Sequence, residues 1–127
     1  MRFLGIDYGK KRIGLSLSDE NGKFAFPMKI ILNNKEVFSF LSKIIKENKI
    51  TEIVIGESLD FDGMPNKVMK EIEKFSSELE KSFLIPVHFQ KEFLTSVEAR
   101  RYKENKEKVD SNASALILQR YLDRINK

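Results

Sequence analysis

Apolar and polar positions alternate with a period of two through the first quarter of the chain, the pattern of strands with two unlike faces. Residues Arg2 to Ile6 form a short apolar run that stops at Asp7-Tyr8-Gly9, a turn signal. From Arg12 to Ser18, Ile13, Leu15 and Leu17 alternate with Gly14, Ser16 and Ser18, which predicts a strand with one buried face. Asp19-Glu20-Asn21-Gly22 predicts a hairpin turn, because Gly22, and tolerably Asn21, can take positive φ. Lys23 to Ile31 reads as the returning strand, with Phe24, Phe26, Met28 and Ile30 on one face. Three strands joined by tight turns make an antiparallel meander.

The period then changes. Val37, Phe38, Leu41, Ile44 and Ile45 fall at helical spacing, in a helix ending near Asn48. Thr51 to Gly56 is a β-branched strand. Met64 to Phe83 is the clearest helix, with Val68, Ile72, Phe75, Leu79 and Phe83 on one stripe. Pro86 to Gln90 is a short strand, Thr95 to about Lys103 is helical, and a charged loop leads to a last helix from about Asp110 to Ile125. This order requires helices that cross between parallel strands. The expected class is therefore α/β: a mixed five-stranded sheet, its first three strands an antiparallel meander and its last two parallel, flanked by helices. A chain of 127 residues suits one domain spanning 1–127.

Composition narrows the chemistry. The absence of cysteine excludes disulfides, thiolate zinc sites and cysteine nucleophiles. His88 is the single histidine, so a histidine-cluster metal site is excluded too. It alternates with Val87 and Phe89 on a short strand and reads as a structural or surface histidine. Any metal must be held by oxygen, which favours Mg2+ or Mn2+. Lys and Arg number 23 against 19 Asp and Glu, a net charge of +4 that is compatible with nucleic acid as a partner. No apolar run approaches the ~20 residues of a membrane span, so no membrane partner is expected. Asp7 falls where a signal peptide needs its apolar stretch, and the expected location is the cytoplasm.

Carboxylates recur at the ends of strands: Asp7 after the first, Glu57 after the fourth, Glu92 after the fifth. In open α/β sheets ligands gather at the carboxyl ends of strands, so these acids can share one edge. Asp7 before Tyr-Gly has a plainer reading as a turn former. Around the last helix, at ~100° per residue, Asp110 lies within about 40° of Ile117 and Tyr121, the side that should pack on the sheet. An N-cap is the simpler role for Asp110. If Asp7, a strand-end Glu and Asp110 converge, the cluster repels itself unless divalent cations neutralise it. Its natural use is two-metal phosphoryl chemistry.

Two basic clusters flank these acids: Lys10-Lys11-Arg12, and a stretch containing Arg100 and Arg101 that carries five positive and two negative charges over residues 99–108. Cations beside metal-binding carboxylates suit a nuclease, the first positioning the phosphate backbone and the second holding the ion. Tyr8 and Phe93 are aromatics that could stack on a splayed base, although core packing suits Phe93 better.

The stretch Gly5-Ile6-Asp7-Tyr8-Gly9-Lys10-Lys11-Arg12-Ile13-Gly14 resembles the opening of the YqgF/RuvX family of ribonuclease H-like nucleases. Further matches follow in order: IVIGESLDFDG from Ile53, Pro86-Val87, EFLTSVEARR from Glu92, and KVDSNASALILQRYLD from Lys108. The resemblance implies a cytoplasmic, divalent-metal-dependent nuclease that matures the 5′ end of pre-16S rRNA in ribosome biogenesis. The alternative is a Holliday junction resolvase acting on branched DNA, for which a homodimer would match the two-fold symmetry of the junction. By resemblance, Asp7, Glu92 and Asp110 are the catalytic, metal-holding carboxylates. Lys91, Phe93 and Ser96 depart from the family's Asp-Glu-Arg-Leu-Thr-Thr segment, and Lys91 partly replaces the phosphate-binding Arg that is lost. Glu57-Ser58 stands where the family reads Leu-Pro, which leaves Glu57 as an alternative to Glu92. These departures also motivate a third reading, a catalytically inactive module of the same fold that binds RNA or the ribosome.

Overall fold

The structure, a computed structural model, describes residues 1–59, 68–93 and 111–127. Strands β1 (Phe3–Tyr8), β2 (Arg12–Ser18), β3 (Ala25–Leu32), β4 (Glu52–Leu59) and β5 (Val87–Phe93) form one sheet in the order β3-β2-β1-β4-β5. The β1–β2 and β2–β3 pairs are antiparallel, and β1–β4 and β4–β5 are parallel. This is the mixed α/β arrangement expected from the pattern. Helices α1 (Val37–Glu47) and α2 (Met69–Phe83) cover one face, and α3 (Ser111–Ile125) covers the other. The helix expected from Thr95 to Lys103 lies outside the described residues, as do positions 64–67.

The face under α1 and α2 is built from the apolar half of each alternation. Leu4, Ile6, Ile13, Leu15, Ile53 and Ile55 of the sheet meet Val37, Leu41, Ile44, Ile72, Phe75 and Leu79 of the helices. Leu41 is completely buried, and its truncation to Ala would cost about 2–5 kcal/mol. Under α3 the sheet is made of small residues: Gly5, Gly14, Ser16 and Gly56 form a low floor. Phe3 and Val54 pack there against Ile117, Leu118, Tyr121 and Leu122.

Three details differ from the expectations. Ser16 and Ser18 are as buried as their apolar neighbours, so β2 has two buried faces and not one. The reason is α3, which closes on the side whose small side chains leave room for it. In the hairpin, Gly22 takes φ +66°, whereas Asn21 stays out of the positive region; Asp19 Oδ1 accepts from the N–H groups of Lys23 (2.7 Å) and Phe24 (3.0 Å) to close the turn. In β3 the register shifts opposite Leu15 and Ser16, so that Phe26 pairs with Leu17 but Ile30 pairs with Gly14. Phe24, Phe26, Met28 and Ile30 therefore do not share one face. The extra residue is a bulge beside Pro27, which has no N–H to donate and is tolerated on this edge strand.

Candidate active site

The strands run longer than the apolar runs that announce them, which changes how their acidic residues must be read. Asp7 lies inside β1, paired with Gly14, because Tyr8 continues the Leu4, Ile6 alternation and packs its ring against Phe75 at 5.0 Å. That packing assigns Tyr8 to the core and not to base stacking. Glu57 lies inside β4 and Glu92 inside β5, because their pairing persists to Leu59 and Phe93. Within a strand, successive side chains leave opposite faces. The face is thus decided by odd or even position, not by nearness to the strand end.

Asp7 shares its face with Phe3 and Gly5, the side covered by α3. Glu57 alternates with Gly56, which meets Ile117 of α3, and follows Ile53 and Ile55 on the α1–α2 side. The structure therefore puts Glu57 on the face opposite Asp7. Lys91 is the register partner of Glu57 and is exposed. The backbone at Glu92 pairs with Ser58; its side chain is outside what is described. Asp110, Arg100 and Arg101 lie outside the described residues.

Helix α3 runs antiparallel to β1 across the floor. The Phe3 ring meets Tyr121 at 5.9 Å, whereas a Cβ on Gly5 would stand 2.9 Å from Leu118 Cβ and 3.2 Å from the Ser114 carbonyl oxygen. Two residues along β1 advance ~6.6 Å, and α3 covers that rise in about four residues at ~1.5 Å each. One further step of this length carries the strand to Asp7 and the helix to its first turn. Asp7 is thus at the end of α3 where Ser111 stands, the end at which the helix dipole favours negative charge.

Lys10 and Lys11, on the turn between β1 and β2, and Arg12, the first residue of β2, are exposed. That turn is fixed by Asn33, whose side-chain amide donates to the Gly9 carbonyl (2.8 Å) and whose N–H donates to the Lys11 carbonyl (2.8 Å). Lys10 Nζ is 4.0 Å from Glu71 of α2, an exposed pair of little energetic weight.

His88 is on the edge strand β5, two strands from β1 and level with Gly5 through Val54. Its Nε2 is 2.8 Å from Glu52 Oε1, and its ring stacks on Tyr121 with centroids 5.4 Å apart. Burial raises the Tyr121 phenol, and the nearby Glu52 carboxylate adds to the effect. With His88 committed there, carboxylate oxygen is the donor chemistry left for a metal at the Asp7 end. Among the described residues no three His, Asp or Glu groups come together to hold a metal. An open depression of about 540 Å³ is lined by Arg2, Asp19, Phe26 and Asn48, away from Asp7. Among the described residues no helix is long and apolar enough to cross a membrane.

One buried polar pair escaped the sequence reading: Ser16 and Ser114, whose hydroxyl oxygens are 3.0 Å apart. The signal available was the run of small residues on one side of β2, which marks close approach by another element.

Residues 1–124 match a family model described as RuvX, Holliday junction resolvase. A "Putative pre-16S rRNA nuclease" of Maridesulfovibrio salexigens is 34% identical over 134 residues, covering 98% of this chain and 99% of that protein. A protein of the same name from a Sulfurihydrogenibium species is 38% identical over 133 residues, covering 98% of this chain and 92% of that one. Among solved structures, Thermus thermophilus RuvC in complex with Holliday junction substrate aligns with a TM-score of 0.52 at 14% identity, over 72% of this chain and 66% of that one. At that identity the likeness is one of fold, and the fold is ribonuclease H-like.

Proposed function

The chain belongs to the RuvX family, and from that membership we propose that it is a divalent-metal-dependent endonuclease. It hydrolyses phosphodiester bonds in structured nucleic acid, with the 5′ end of pre-16S rRNA as its substrate. On this reading residues 1–127 are one nuclease domain working in the cytoplasm. The observation that carries the proposal is the position of Asp7: on the central strand, on the face covered by α3, and at the N-terminal end of that helix.

Asp110 immediately precedes α3 in sequence, and α3 begins at the Asp7 end of the sheet, which supports including Asp110. Position 92 is two residues beyond Gln90 and four beyond His88, the β5 residue that stacks on Tyr121 of α3. Its register parity is that of His88 and Gln90, whereas Glu57 follows Ile53 and Ile55 on the α1–α2 side, which supports Glu92 over Glu57. We therefore assign Asp7, Glu92 and Asp110 as the carboxylates that hold Mg2+ or Mn2+. A chain without cysteine, and with its one histidine bonded elsewhere, offers oxygen donors only, which these ions prefer. The chemistry such ions supply is activation of a water for attack on phosphorus and stabilisation of the leaving oxygen. Lys10, Lys11 and Arg12, with Arg100 and Arg101, hold the phosphates on either side of the cut. Lys91 pairs with Glu57 on the other face and is left out of this set.

The test is cleavage of a pre-16S rRNA 5′ segment and of a four-way DNA junction in Mg2+, with and without EDTA, by the wild type and Asp7→Asn. We expect the RNA to be cut and the variant to be inert. Cutting of the junction alone would favour a resolvase. RNA binding that survives EDTA, with no cleavage, would favour a binding module. Equal cutting by the variant ends the assignment.

A further inference from the structure

The C-terminal half of α3 is pinned to the β2–β3 hairpin, where Gln119 accepts from the Ala25 N–H (2.8 Å) and donates to the Lys23 carbonyl (2.9 Å) and Asn126 donates to the Gly22 carbonyl (2.9 Å), whereas its N-terminal half rests on a low floor. Gly5, Gly14 and Gly56 present no side chain to α3, and the apolar contacts of Ile117, Leu118 and Leu122 are non-directional. Such contacts hold a helix down but resist sliding and rotation weakly. The Ser16 and Ser114 hydroxyls, 3.0 Å apart and fully buried, supply a directional bond between the two layers. Ser16 is the cross-strand partner of Gly5, two residues before Asp7, and is itself two residues from Gly14, the partner of Asp7. Ser114 is four residues, one helical turn, from position 110. Any slip of α3 at Ser114 shifts the first turn of the helix relative to Asp7.

We propose that the Ser16–Ser114 hydrogen bond is a positioning device for the metal site, setting the height and rotation of the first turn of α3 against the strand pair that carries Asp7. The inference rests on the metal-dependent reading above and assigns the two serines no contact with metal or substrate. Gly5 belongs to the same device, since a Cβ there would collide with Ser16 Oγ and press on Leu118. The bare glycine lets α3 come close enough for the two hydroxyls to meet.

The test is Mn2+ binding, by titration calorimetry and by electron paramagnetic resonance, together with the melting temperature. The proteins are the wild type, Ser114→Ala, the Ser16→Ala/Ser114→Ala double variant, Asp7→Asn, and Ile44→Val as a control in the opposite core. Both serine variants should weaken Mn2+ binding by about tenfold, the lower end of what loss of a supporting partner behind a metal ligand costs. The double variant should melt higher than Ser114→Ala, because it leaves no orphaned hydroxyl. Ile44→Val should lower the melting temperature without moving the Mn2+ affinity. If Ser114→Ala binds Mn2+ like the wild type while Asp7→Asn does not bind, the positioning role is overturned and the metal reading stands. If the wild type binds no Mn2+, or Asp7→Asn binds it unchanged, the metal reading falls and takes this inference with it.

Discussion

Asp7 and Glu57 stand on opposite faces of the same sheet, on adjacent strands and near the same edge. Asp7 follows Phe3 and Gly5 onto the α3 side, and Glu57 follows Ile53 and Ile55 onto the α1–α2 side. A sheet one residue thick separates the two carboxylates, so a cation held at Asp7 gains no ligand from Glu57. Asp7→Asn should therefore lower cleavage by at least about 100-fold, the upper end of what loss of a partner behind a ligand costs. Glu57→Gln should leave the rate unchanged. Single-turnover cleavage of one RNA substrate by both variants checks the pair; comparable losses in the two would refute the face assignment.

The floor beneath α3 makes a second contrast. A Cβ on Gly5 would collide with Ser16 Oγ and stand 2.9 Å from Leu118 Cβ and 3.2 Å from the Ser114 carbonyl, groups that cannot swing aside. Gly5→Ala should destabilise by about 1–3 kcal/mol, the usual cost of overpacking. A Cβ on Gly56 meets Ile117 Cδ1 at 2.7 Å, the far end of a side chain that can change rotamer. There the strain is offset by the lower entropy of the unfolded chain, worth about 0.4–1 kcal/mol. Gly56→Ala should be near neutral. Urea denaturation midpoints decide it, and equal losses would mean that the approach of α3 does not depend on Gly5.

Much of this fold was legible because its two periods are clean. Ile13, Leu15 and Leu17 announce β2, and Leu41, Ile44 and Ile45 announce α1. The strand ends were harder, because residues such as Asp7 and Glu57 are polar and interrupt the apolar run, yet backbone pairing carries β1 to Tyr8 and β4 to Leu59. That error mattered most for the site: read as strand-end residues the acids can share an edge, but read within strands they are sorted by parity. The bulge in β3 was hidden for a related reason, since Met28 keeps the apolar alternation while the pairing skips a residue. The second buried face of β2 was encoded only in the small size of Gly14 and Ser16, a signal about space and not about hydrophobicity.

The β2–β3 hairpin should show a distinct response to acid. The N–H groups of Phe24 and then Lys23 donate to Asp19 and hold its carboxyl below the ordinary value near 3.8. A carboxylate whose folded pKa is depressed contributes stability above its unfolded value, and this contribution is lost as pH falls through the folded value. Asp19→Asn keeps an acceptor oxygen but carries no charge to protonate. The gap between wild type and variant in urea midpoint should hold at neutral pH and close as pH drops below the carboxylate range. A gap that stays constant from pH 7 to the acid limit would refute the linkage.

The basic turn after Asp7 makes a prediction about binding apart from cleavage. Lys11, on a turn that Asn33 fixes from two sides, and Arg12, the first residue of β2, are exposed, so the backbone that carries their charges is held beside Asp7. Each phosphate contact releases counterions, and for single strands the slope of log Kobs against log salt changes by ~0.7 per contact. With Asp7→Asn as the background and EDTA present, RNA binding can be followed by anisotropy across a KCl series. Lys11→Ala and Arg12→Ala should each flatten the slope by about that amount and weaken binding equally for unrelated sequences. Lys23→Ala alters an exposed charge at the opposite end of β2 and should leave the slope unchanged. If Lys23 matters as much as Arg12, the attraction is a property of the net charge of +4 and not of the turn beside Asp7.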